Sequence, residues 1–396
     1  FRLKALEVYN NLEMPTWGPD LSELNMDEIA TYVNGYAFKP KDRGNVGLPI
    51  VRIQDLTGNA RDVGFYNGEY PKKIEINNGD ILISWSASLG VYVWNKGKAL
   101  LNQHIFRVVF DKGEIDKSFF VYAVRQKLKE MGTKTHGATM KHIVKKDFDA
   151  IEIPYPQINR QIEIARNMDK ISSVIEKKER QLKLLDDLIQ ARFVEMFGTL
   201  DNPTQNFQTA RLEELCSKIT DGKHGGCVQE KGTKRYFVGA REIYDDKIHY
   251  DTAPEININE FEKDYKRCNV EIGDFLIVNT GATIGKSAIA TDERTIHTLL
   301  QKSVALLKVR KELLNSVFLK WCYRVNTKMY MVESASAQAN LLLSKIRKTK
   351  IYVPDINLQN KFASFVQQVN KSKFEVQKSL EKTQLLFDSL MQEYFG

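Results

Sequence analysis

Few stretches of this chain carry residue types that could make or break a bond. "TGATIGKS" (280–287) comes nearest to a phosphate-cradling loop. Such a loop requires G-x-x-x-x-G-K-[ST], so that backbone N–H groups surround the phosphates and the lysine reaches them. Here only three residues separate Gly281 from Gly285, and Thr280 stands where the first glycine belongs. The following "AIATDERTIHTLL" does not open a strong helix, and the corresponding earlier stretch, "SASLGVYV", has no Gly-Lys. "NPTQ" (202–205) has the Asn-Pro of an amino-methylating enzyme loop, but lacks its second proline and its aromatic residue. It reads as a linker turn. His224 lies near Cys227, yet two ligands at that spacing do not make a zinc site, so no metal is expected. The four cysteines, Cys216, Cys227, Cys268 and Cys322, form no CxxC pair and no disulfide framework, which suits a reducing, cytoplasmic setting. No HExxH or GxSxG pattern occurs, and His104, His136 and His142 have no recognisable nucleophile to serve. The chemistry expected here is recognition, with no catalytic residue.

Polar and basic loops are the candidates for that recognition. The net charge is +8 and the pI about 9.0, a balance that favours polyanionic partners. Lysine and arginine neutralise phosphates, while Asn, Gln, His, Ser and Arg can read base edges. In the first half the candidates are Lys39, Lys41 and Arg43 in "AFKPKDRGN", Ser86 and Ser88 in "SWSAS", and Asn102 and Gln103 in "NQH". Lys134, His136, Thr139, Lys141 and His142 follow in "TKTHGATMKH". In the second half they are Lys223, His224, Lys234, Arg235, Arg241, Thr280, Thr283, Lys286, Gln301, Lys302, Gln338 and Asn340.

The elements that position these loops are written twice. "PQINRQIEIA" begins at Pro156 and "PDINLQNKFA" at Pro354, 198 residues later. The same offset holds without a gap to "EMFG" and "EYFG", which end at residues 198 and 396. Upstream the match loosens but keeps its order: "GDILISWSASLG" faces "GDFLIVNTGATIG", and "LNQHIFRV" faces "LLQKSVAL". The chain therefore reads as a duplication, with globular blocks at 1–155 and 199–353 and matched terminal segments at 156–198 and 354–396. Short β-like runs ("DILISW", "VYVW", "HIFRVVF", "FLIV", "SVALLKV") fill the blocks, and helices are expected at 116–132 and 315–334. The fold class is α+β, a pseudo-two-fold internal repeat.

Each terminal segment runs about 41 residues from a proline to a glycine without either in between, the signature of a long helix roughly 60 Å in length. In the first, Ile164, Met168, Ile171, Ile175, Leu182, Leu185 and Ile189 recur at spacings of four and three, with Lys178 interrupting. In the second the same seam runs through Phe362, Val366, Val369, Val376, Leu380, Phe387 and Leu390, with Lys373 and Thr383 interrupting. A heptad seam of this length calls for a partner helix, and the partner of matching length is the other copy. A two-fold relation would make the pair an antiparallel coiled coil with the blocks at opposite ends. No apolar run approaches a membrane span, no signal peptide is expected, and a start at Phe1 suggests missing leading residues.

Together "GDILISWSASLG", "LLNQHIFRV", "GATMKHI" and "IEIPYPQINRQIEIA", with their echoes "GDFLIVNTGATIG" and "VPDINLQNKFA", resemble the specificity (S) subunit of type I restriction–modification systems over the whole chain. The resemblance implies two target recognition domains, each reading half of a split, asymmetric double-stranded DNA site. It implies that the helix pair measures the gap and docks two methyltransferase (M) subunits, joined by motor–nuclease (R) subunits. It also implies no active site in this chain, with S-adenosylmethionine, ATP and Mg belonging to the partner subunits. The second block departs from the pattern, since "SAQANLLLSKI" lacks the Gly-Ala-Thr-Met of the first. Two other readings stay open: an adaptor whose duplicated blocks bind protein, and a self-contained methyltransferase or nuclease.

Overall fold

A computed structural model of the chain describes residues 22–134, 143–326 and 341–396; the side chains of residues 133 and 134 are not described. The chain divides into two compact units, Phe1–Glu179 with Gln377–Gly396, and Arg180–Val376. Each unit takes one block together with the start of one long helix and the end of the other. The compact units therefore cut across the sequence repeat.

In the first unit, the strands Thr31–Asn34, Ile105–Val109, Ile81–Ser84 and Gly90–Val93 form an antiparallel sheet in that order. All four residues of Ile81–Ser84 are buried. Ile81 and Ile83 face a core shared with the helix Lys117–Lys134, while Leu82 faces a second core. Burial on both faces explains a continuous apolar run where a half-exposed strand would alternate. The second core is closed by another sheet, in which Leu48–Val51 and Ala99–Leu101 pair in parallel.

The second unit repeats this plan with different residues. Cys216–Asp221, Val304–Val309, Phe275–Val278 and Ser287–Ile289 form the antiparallel sheet in the corresponding order. Phe275 and Ile277 face one core, Leu276 and Val278 the other. Tyr236–Val238 and Thr298–Leu300 supply the parallel pair. The recurring Gly-Asp has one job in both copies. Gly79 and Gly273 adopt φ of 90° and 98°, which a side chain would strain. Asp80 and Asp274 then each accept a backbone N–H three residues back, from Asn77 and Glu271, both at 2.8 Å.

Two terminal strand pairs fasten each block to its helix: Glu23–Asn25 with Glu152–Pro154, and Gln208–Arg211 with Lys350–Val353. The helices Ile158–Phe197 and Ile356–Phe395 follow, 40 residues each. Gly198, at φ 73°, ends the first.

Every apolar seam position expected from the sequence is buried or half-buried. In the first unit, Ile164, Met168, Ile171 and Ile175 share a core with Phe387, Leu390, Tyr394 and Phe395. Lys178 donates to the Ser379 hydroxyl at 2.6 Å. In the second unit, Phe193 meets Phe362 at 5.3 Å, Arg192 stacks over Phe365, and Lys373 pairs with Asp186 at 2.6 Å. As the number rises on one helix it falls on the other, so within each unit the two segments run antiparallel. Both lysines that interrupt the seam are thus partnered by the other helix.

Some elements differ from the sequence reading. The helix expected at 315–334 is described over Ser316–Val325, and residues 327–340 lie outside the described residues. The helix Ile258–Tyr265, capped by Asn257, and the edge strands Thr31–Asn34 and Cys216–Asp221 have no counterpart in that reading. Among the described residues, no helix is long and apolar enough to cross a membrane.

Candidate nucleic-acid interface

The strand ends gather the candidate loops. In the first unit, the Tyr36 N–H bonds to the Leu101 carbonyl and the Gln103 N–H to that of Tyr36, both at 2.9 Å. The Asn102 N–H reaches the Val51 carbonyl at 3.0 Å, and that of Trp85 reaches His104 at 3.2 Å. These bonds bring together loops carrying Asn102, Gln103 and Ser86. In the second unit, Lys223 bonds to Leu300 at 2.7 Å, Lys302 to Lys223 at 2.9 Å, and Gln301 to Val238 at 2.8 Å. Asn279 joins through the Ser303 carbonyl at 3.0 Å, bringing Thr280 alongside. The two arrangements are the same scaffold. Each depends on a glycine at the close approach: a Cβ on Gly35 would lie 2.0 Å from the Asn102 oxygen, and one on Gly222 would lie 2.1 Å from that of Leu300.

Equivalent positions carry different side chains. Tyr36 stands where the second unit has Lys223, Asn102 and Gln103 where it has Gln301 and Lys302, and Gln54 where it has Arg241. The last equivalence rests on a shared turn: Asp55 accepts from the Arg52 N–H at 2.9 Å, as Glu242 does from that of Gly239 at 2.8 Å. Tyr36 and Gln54 are exposed, and the sequence reading missed both. Aligning the halves around the two glycines is the signal that would have found them.

The structure also separates free cations from engaged ones. Lys39, Lys41, Lys234, Arg241, Lys286 and Lys302 are exposed and form no ion pair with another described residue. Arg43 instead pairs with Asp62 at 2.6 Å. Lys223 pairs with Asp264 at 2.8 Å and Glu260 at 3.2 Å. Asp264, then Glu260, hold its ammonium above the ordinary lysine range. His224 lies 3.4 Å from Asp221. Arg235 is half-buried over the Phe261 ring, which limits its reach. Ser86, Asn102, Thr280, Thr283 and Gln301 are half-buried at loop edges, whereas Ser88 and Gln103 are exposed. Lys134 ends its helix, and its side chain is not described; His136, Thr139, Lys141, His142, Gln338 and Asn340 lie outside the described residues.

Catalytic chemistry finds little footing in this arrangement. A strand, Ser287–Ile289, follows the Gly-Lys of "TGATIGKS", so no helix N-terminus meets the loop. Burial pushes the Cys216 and Cys268 thiols up to about 12 and about 11, which makes them inert nucleophiles. Among the described residues, no group of three or more His, Cys, Asp or Glu side chains is placed to hold a metal.

Comparison with known proteins adds an independent line. The chain is 23% identical over 391 residues to the EcoBI type I restriction enzyme specificity subunit of Escherichia coli, covering 91% of this chain and 80% of that one. A short stretch of 58 residues, 15% of this chain and 12% of its match, is 61% identical to an iron–sulfur cluster assembly SufBD family protein of Staphylococcus haemolyticus. The fold resembles the type I restriction–modification S subunit from M. genitalium, with TM-score 0.56 and 16% identity over 97% of this chain and 98% of that one. It also resembles a chain from structural work on complex assembly and conformational transition of the type I R-M system, with TM-score 0.58 and 14% identity over 96% of this chain and 99% of the other. The family described as the type I restriction modification DNA specificity domain matches twice, at residues 20–185 and 204–385. With both repeats matched over most of its length, the chain belongs to the type I restriction–modification DNA specificity family, as a specificity subunit with two recognition domains.

Proposed function

We propose that each block reads one half of a bipartite, asymmetric double-stranded DNA site, and that the paired long helices form a coiled coil that sets the spacing between the halves. The observation that carries this reading is one scaffold written twice, presenting Tyr36, Gln54, Asn102 and Gln103 in one unit and Arg241, Gln301 and Lys302 in the other. Equal scaffolds with unequal side chains suit two readers of unlike sequences. Joining them on a stiff spacer makes the second contact intramolecular, so modest half-site affinities multiply.

Two methyltransferase subunits dock on this chain in the same reading, with motor–nuclease subunits joining through the complex. Grooves at matching places support two equivalent docking sites. One of about 630 Å³ lies between Asp116, Ser118 and the first long helix at Ala165 and Asp169. The other, about 440 Å³, lies between Asn315, Val317 and the second at Ala363 and Gln367. A specificity subunit is the non-catalytic member of such a system. S-adenosylmethionine, ATP and Mg therefore act in the partner subunits, where the target base is flipped for methylation. The assembly works in the cytoplasm.

Methylome sequencing of cells carrying the partner subunits, with and without this chain, tests the reading. A split motif that appears only with the chain is expected. A chain-independent motif, or a continuous one, would overturn it.

A further inference from the structure

Both long helices open on the same buried side chain. Gln161 and Gln359 are each fully buried, one turn into their helices. A buried amide is costly unless its oxygen and its N–H groups are satisfied. Gln161 Oε1 accepts from the Asp116 N–H at 2.9 Å, and its Nε2 donates to the Pro156 carbonyl at 2.8 Å. Gln359 Oε1 accepts from the Asn315 N–H at 2.9 Å, and its Nε2 donates to the carbonyls of Pro354 at 2.8 Å and Leu313 at 3.0 Å.

Asp116 and Asn315 are the N-caps of the last long helix in each block. The Asp116 carboxylate accepts from the Phe119 N–H at 2.9 Å, and the Asn315 side-chain oxygen accepts from that of Val317 at 2.8 Å. In an ordinary capping box, a Glu or Gln three residues further along the same helix reaches back to the N-cap N–H. Here that acceptor comes from a different helix. Each glutamine completes the cap of the block helix while holding the proline carbonyl at the foot of its own helix. Rotation of the block on the rod would break the contacts to Asp116 in one unit and to Asn315 and Leu313 in the other, leaving buried polar groups unpaired.

We propose that Gln161 and Gln359 are positioning residues that fix the rotational phase of each recognition block on its helix, and so restrict the DNA spacer to a single length. The proposal rests on the reading that the helix pair sets the spacing. One base pair corresponds to about 3.4 Å of rise and about 35° of twist, so a loosened clamp reaches the neighbouring spacer lengths.

The test is methylome sequencing of cells expressing the full complex with Gln161→Met or Gln359→Met. Methylated sites with unchanged half-sites and spacers one base pair longer or shorter should rise about tenfold or more, as expected for losing the two buried hydrogen bonds of Gln161 or the three of Gln359. A variant that methylates only the parental spacer, at any level, overturns the proposal while leaving the spacing reading intact. So does loss of all methylation by a chain that remains folded by circular dichroism. If one variant unfolds, the other decides; unfolding of both would make the glutamines stability devices and also overturn the proposal. A parental motif without a fixed gap would instead sink the reading beneath it.

Discussion

Replacing Lys286 and Lys302 together with alanine tests whether the exposed cations of the reading loops meet phosphate. Both side chains lie in solvent, and neither forms an ion pair with a described residue. If all six free cations described above contact phosphate, the log–log slope of affinity against salt is about −5.4, at about −0.9 per contact. Raising salt from about 50 to about 200 mM would then weaken binding about two-thousand-fold. Removing two contacts leaves a slope of about −3.6 and a loss of only about 150-fold over the same range. Contacts made by partner subunits add equally to parent and variant, so the difference in slope, about 1.8, is the quantity to measure. The assay is fluorescence anisotropy of the assembled methyltransferase complex on its site at four or more salt concentrations. Lys223→Ala is the control, because that ammonium is held by Asp264 and Glu260 inside its own unit. It should lower thermal stability and change the slope by less than about 0.5. An unchanged slope for the double variant, or a larger change for Lys223→Ala, would refute the assignment.

Further outcomes follow from the same geometry. Gln103→Ala should relax discrimination at one position of one half-site by about 1–3 kcal/mol and leave the other half-site unaltered; motif analysis showing both changed would contradict it. Phe362→Ala empties a fully buried site between Phe193, Phe197 and Trp321, and should cost about 3–5 kcal/mol in urea unfolding, whereas Leu385→Ala, 69% exposed, should cost under about 0.5 kcal/mol. Equal losses would mean that the apolar seam is misplaced. Ile162 and Val174 are exposed apolar residues of the first long helix that line the groove beside Asp116; changing both to serine should leave the melting temperature within a few degrees yet reduce capture of the methyltransferase subunit in a pull-down. Undiminished capture would place docking elsewhere.

The long helices were legible because nothing in them breaks a helix and their apolar residues recur on one stripe. The stripe was read too narrowly at the ends. Phe193 and Phe197 are fully buried but fall outside the heptad positions, because the helix end packs on the block core as well as on its partner. The paired Gly-Asp turns and the doubly buried strands were visible as motifs, since turn geometry and burial dictate those residues locally. The second parallel strand pair was harder to see, because its short strands join only through tertiary contacts. The same limit governs the candidate site. Which loops would matter followed from their composition, but whether a cation is free depends on carboxylates distant in sequence. Arg43 is met by Asp62, and Lys223 by residues 260 and 264. Tyr36 and Gln54 were missed because the blocks have diverged and only the shared backbone bonds reveal which positions correspond.

The most direct measurement is the methylome of a chimera in which residues 22–155 are replaced by the matching block of another specificity subunit, expressed with the same partners. The account predicts a motif with one new half, one parental half and the parental gap. A motif changed in both halves, or in neither, would contradict it.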